Sequence, residues 1–69
     1  MNESSLRRLL GKIRERGTTL EALADQLSIA RSTLHRRLKK GTLTVGDAHQ
    51  ICDALALSND EALQIFLAQ

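Results

Sequence analysis

The apolar residues of this chain recur three and four positions apart in five successive blocks, and that spacing permits little other than α-helix. Leu6, Leu9, Leu10 and Ile13 form the first block, Leu20, Leu23, Ala24 and Leu27 the second, and Leu34 with Leu38 the third. Val45, Ala48, Ile51, Cys52 and Leu55 form the fourth, and Ala62, Leu63, Phe66 and Leu67 the fifth. At 3.6 residues per turn each block falls on one face of a helix, which must be buried against its neighbours. Ile65 lies off the fifth face, where it is either a single exposed side chain or a subunit contact.

The punctuation between blocks agrees with this reading. Gly17 stops the first helix, and Thr18 with Glu21 has the spacing of a capping box that opens the second. The second helix ends near Leu27, Ser28 and Ile29 make a tight turn, and the third helix runs from about Ala30 to Lys40 before Gly41 ends it. Thr44 with Asp47 and Ser58 with Glu61 open the fourth and fifth helices. With no Pro, Trp or Tyr and one aromatic, Phe66, a sheet has little to build on. The expected architecture is a single all-α domain over residues 1–69, with a small core, since a chain of this size buries only about 60% of its unfolded surface.

Charge is distributed unevenly along the chain. Residues 1–41 hold all ten Lys and Arg against four acids, a net of +6, whereas residues 42–69 hold four acids and no base, a net of −4. Five of the ten cations fall within the third helix, at Arg31, Arg36, Arg37, Lys39 and Lys40. Leu34 and Leu38 face one way there while Arg31, Ser32, His35, Arg36 and Lys39 face the other, so one side can dock on a core and the other meet an anion.

Other chemistries find little support in these residues. A lone cysteine, Cys52, excludes an intramolecular disulfide, and with neither a signal peptide nor a membrane-spanning run the expected location is cytoplasmic, with no membrane contact. There is no Gly-rich phosphate loop and no nucleophile beside a base, so neither enzymatic activity, nor a cofactor, nor a small-molecule ligand is expected. His49, Cys52 and Asp53 stand at i, i+3 and i+4 and could share a metal, but Cys52 sits on the apolar face and no second cluster completes a tetrahedral set. Core packing is the reading for Cys52, and no metal is expected. The scarcity of aromatics also counts against binding of single strands or RNA, which stack bases on such rings.

The segment from Leu20 to Gly41, LEALADQLSIARSTLHRRLKKG, resembles the helix-turn-helix of the lambda-repressor-like DNA-binding domains of the Cro and C1 class. The fourth and fifth helical patterns match that class too, and Ala62–Ala68, ALQIFLA, is similar to the last helix of small phage or prophage regulators. Residues 31–39 are also similar to the end of Fis-type domains; those stop soon after this helix, whereas 28 residues follow Gly41 here. The resemblance implies a compact five-helix domain with the motif in helices 2 and 3. Two positions depart from the class: Ser28 stands where Gly is usual, and Ala30 where a Ser or Thr cap is common. Each departure costs on the order of 1 kcal/mol.

Carried over by position, the resemblance implies base contacts by Arg31, Ser32 and Arg36, with Thr33 and His35 as neighbours. Arginine is well suited to bidentate pairing with guanine. Arg37, Lys39, Lys40 and Thr42, at or beyond the far end of the helix, suit phosphate contact, as do Thr18 and Thr19 at the start of the second helix. Arg7, Arg8 and Arg14 read as a solvated face. The expected function is a sequence-specific regulator, Cro-like and repressing, that binds double-stranded DNA as a homodimer on a roughly palindromic operator in a bacterial cell or phage host. Ile65, Phe66 and Leu67 are the candidate dimer contacts. The competing readings are a protein-interaction module of antirepressor or antitoxin type on the same fold, and a nonspecific nucleoid-type DNA binder.

Overall fold

Each apolar block becomes a helix. The computed structural model of the chain describes residues 3–66, in the order α1 (Glu3–Glu15), α2 (Leu20–Gln26), α3 (Arg31–Lys40), α4 (Val45–Leu55) and α5 (Asn59–Phe66). Among the described residues there is no strand, and no helix is long and apolar enough to cross a membrane.

The first four helices end in one way. Gly17, Ser28, Gly41 and Ala56 take φ of 72°, 59°, 68° and 52°, the left-handed region. The residue after each donates its N–H five positions back: Thr18 to Ile13, Ile29 to Ala24, Thr42 to Arg37 and Leu57 to Cys52, at 3.0 to 3.1 Å. This closure satisfies carbonyls that the helix end leaves without partners. Glycine adopts it freely, whereas Ser28 and Ala56 adopt it at a cost of about 1 kcal/mol each. Ser28 therefore keeps the turn geometry that a glycine would give. Nothing in the local pattern marked Ala56.

Helix beginnings follow the sequence in two cases and shift in a third. Thr44 and Asp47 form a reciprocal capping box at 3.0 and 3.4 Å, and Ser58 and Glu61 form another at 3.1 and 2.9 Å. The cap of α2 is Thr19, not Thr18: Thr19 Oγ1 accepts the Ala22 N–H at 3.1 Å. Thr18 is drawn into the closure of α1 by its own N–H, which leaves Thr19 as the last extended residue. Ala30 caps α3 without a side-chain bond.

The core is formed by Leu9, Ile13, Leu20, Leu23, Ala24, Leu34, Leu38, Ile51, Leu55 and Ile65. In it α1 packs on α3 and α5, and α2 on α3 and α4. Ala24 is fully buried where α2 meets α3, and Ile29 packs the turn against the same cluster.

Three side chains depart from the expected faces. Val45 and Leu63, read as inward, are exposed, while Ile65, read as outward, is 1% exposed and belongs to the core. The fifth helix carries apolar residues at 62, 63, 65 and 66, so its pattern fits two orientations about one residue apart. Packing against α1 selects the orientation with Glu61, Ala62, Ile65 and Phe66 on the inner side. Ile65 is thus not available as a dimer contact in the folded chain, Phe66 is half-buried against the core, and Leu67 lies outside the described residues.

Candidate nucleic-acid interface

The basic helix α3 is fixed from behind by Leu34 and Leu38, both fully buried. Helical geometry then turns Ser32, Arg36 and Lys40, spaced at i, i+4 and i+8, directly outward, and all three are exposed. Arg31 at the start of the helix and Lys39 near its end are exposed as well. Ser32, Arg36, Lys39 and Lys40 form a polar and basic strip along α3, while Arg31 adds an exposed charge at the helix start, on the side of Leu34 and Leu38.

The remaining sites on α3 lie at its flanks. Thr33, His35 and Arg37 are half-buried. His35 and Lys39 border a recess of about 500 Å³ with Glu3 and Leu6 of α1, so His35 is turned toward α1. Arg37 lies on the other flank, where its Nη1 is 3.7 Å from Asp47 Oδ2 in the first turn of α4. That carboxylate is the same one that closes the capping box of α4. Thr42 is exposed just past the end of α3, Thr19 is exposed at the start of α2, and Thr18 is half-buried.

Ion pairing divides the cations, and Arg8 and Arg14 of α1 are, like those of the α3 strip, without an acidic partner among the described residues. Arg31, Arg36, Lys39 and Lys40 make no ion pair among the described residues, and α3 contains no acid. Their charge is therefore directed at solvent. By contrast Lys12 pairs with Glu61 and, at 3.4 Å, with Glu15, while Arg16 Nη2 is 3.8 Å from Glu61. The hydrogen bond from Lys12 is the main reason that Glu61 is held down to about 2, and the same bond raises Lys12. Arg7 faces Glu3 at 3.7 Å with both side chains well exposed.

Sequence reasoning did not identify the roles of Lys12 and Arg16. Arg16 Nε donates to the Leu55 carbonyl, 39 positions away, and no local signal could have marked that partner. Nor did it foresee that Asp47 would engage Arg37, although a cation at the end of one helix and an acid at the start of the next are a reasonable pair to suspect. His49 and Cys52 lie on the far side of α4 in an apolar groove with α5; burial, and then Asp53, push the Cys52 thiol up. Among the described residues no group of three His, Cys, Asp or Glu side chains is arranged to hold a metal ion.

No protein-family model, no curated protein and no solved structure matches this chain.

Proposed function

We propose that this chain is a lambda-repressor-like, Cro-type regulator that binds double-stranded DNA in a sequence-specific way, with α2 and α3 as its helix-turn-helix. One observation carries the reading: Arg36, Lys39 and Lys40, without acidic partners, line the outward side of a helix whose opposite side is locked into the core, and Arg31 adds a fourth unpaired charge at its exposed start. An acid-free helix held this way needs no rearrangement to enter a major groove, and the four unpaired charges favour a polyphosphate.

The roles follow from where each side chain stands. Arg31 and Arg36, exposed near the start of α3 and further along it, read guanine edges, and Ser32 lies between them. Lys39 and Lys40 clamp phosphates. Arg37 offers phosphate the part of its guanidinium that Asp47 does not engage. Thr33 and His35, half-buried on the flanks, are secondary neighbours of the bases, while Thr18, Thr19 and Thr42 are placed to set register on the backbone. Two copies on a roughly palindromic operator supply the selectivity that one small domain lacks, and occupancy of the operator represses.

Affinity for random duplex, compared with duplex selected from a random pool at several salt concentrations, tests the reading. A large preference for selected duplex is expected, with affinity falling by about 0.9 log units per log unit of salt for each phosphate neutralised. Equal affinity would indicate a nonspecific binder, and no binding even at low salt would favour a protein-interaction module.

A further inference from the structure

Val45 and Leu63 are the large apolar side chains that stand out from the described surface, at 75% and 50% exposure. They are not scattered. Both line a groove of about 330 Å³ between α4 and α5, together with Ala48, His49, Cys52 and Phe66. None of these residues belongs to α3, which carries the basic strip. Its edge along α4 carries His49 and Asp53, both exposed and four positions apart.

We infer that this groove takes a second copy of the chain, related by a two-fold axis that crosses α4 level with residue 51, so that His49 of each copy meets Asp53 of the other. The inference rests on the two-copy reading above and names the surface that joins the copies. A two-fold contact requires a single patch to be self-complementary. The groove provides both the protruding groups, Val45 and Leu63, and the recess to receive them. The charged edge favours this register. Residues 42–69 hold no Lys or Arg, and an antiparallel α4 pair centred on residue 51 gives each Asp53 an imidazole N–H donor, whereas one centred on residue 50 sets Asp47 against Asp53 and one centred on residue 53 sets Asp53 against itself. The patch is small, so association is weak in free solution, and a duplex with two half-sites strengthens it by holding the copies side by side.

Sedimentation equilibrium of the full chain without DNA, over a wide concentration range, tests this surface apart from DNA binding. The mass is expected to rise with concentration from 7.6 kDa toward twice that value. Leu63→Asp should weaken self-association by about tenfold or more. Val45→Glu should act alike, and because Val45 sits in the first helical turn an acid there is compatible with folding. Helical circular dichroism equal to the parent confirms that the variants are folded. His49→Asp alone should weaken the pair, and combining it with Asp53→His should restore it, since the two-fold axis re-forms each contact with the partners exchanged. A parent that stays at 7.6 kDa at every concentration, a Leu63→Asp or Val45→Glu mass equal to the parent's, or a double variant no better than His49→Asp overturns the inference. Arg36→Ala should leave the mass unchanged. A chain that pairs but does not bind duplex would therefore overturn the DNA reading and leave this surface standing.

Discussion

Arg16 Nε donates to the carbonyl oxygen of Leu55 at 2.8 Å, and its Nη2 donates to the carbonyl of Ala56 at 3.4 Å. Leu55 ends α4, a helix with no basic residue in its last turn, so Arg16 supplies from the α1–α2 connection the cation that the end of α4 lacks. The same Nη2 lies 3.8 Å from Glu61, which Lys12 of α1 also engages. The end of α1, the end of α4 and the start of α5 are thus joined by two cations and one carboxylate. Two of the chain's ten basic residues are in this way engaged within the fold.

Replacing Arg16 by Met should lower stability by about 1–2 kcal/mol, because charge-assisted bonds to the end of α4 are lost while the apolar stem is kept. Arg16→Lys should recover only part of the loss, since a single ammonium cannot reproduce the fork of donors. Thermal melts followed by circular dichroism check this; unchanged midpoints for both variants would mean that the contact contributes nothing.

Glu61 makes the stability depend on pH. Its folded-state value of about 2 lies below the ordinary 4.5, so the folded state binds its proton less readily than the unfolded chain does. The resulting stabilisation is complete above about pH 4.5 and is lost as pH falls toward 2. Glu61→Gln, which can still accept the Ser58 N–H, should be less stable than the parent at neutral pH and should lose less stability between pH 4.5 and 2. Urea unfolding at a series of pH values reads both effects.

Ser28→Gly and Ala56→Gly should each raise stability by about 0.5–1 kcal/mol, because glycine holds the left-handed closure without a clash from Cβ. The gain is offset in part by the greater freedom of glycine in the unfolded chain. Ser28→Val should act oppositely, since a β-branched residue resists positive φ. Denaturant midpoints order the three variants.

Leu34→Ala and Arg36→Ala separate the two faces of α3. The first removes a fully buried side chain and should cost 2–5 kcal/mol, on the scale of roughly such core truncations, with base preference unchanged in whatever fraction stays folded. The second should change stability by no more than about 0.5 kcal/mol and relax base preference. Lys40→Ala should weaken binding to all duplexes about equally and reduce the salt slope by about 1. If Arg36→Ala and Lys40→Ala affect selected and random duplex alike, the division between base and phosphate contacts is wrong.

Local sequence determined what depends on neighbours within a turn or two. The helical periodicity of the leucines, the glycine stops at Gly17 and Gly41, and the paired caps Thr44–Asp47 and Ser58–Glu61 are interactions over five residues or fewer, and they can be read directly from the chain. So could the orientation of α3, because Leu34 and Leu38 are its only large apolar residues and leave one possible inner face. Tertiary structure decided whatever had two local answers. The fifth helix could present Leu63 or Ile65 inward, and docking on α1, with Lys12 and Arg16 holding Glu61, chose Ile65. It also decided which cations remain available. Lys12, Arg16 and Arg37 look like the other basic residues in the sequence, but their acidic or carbonyl partners lie on other helices, and only folding brings those charges within reach of one another.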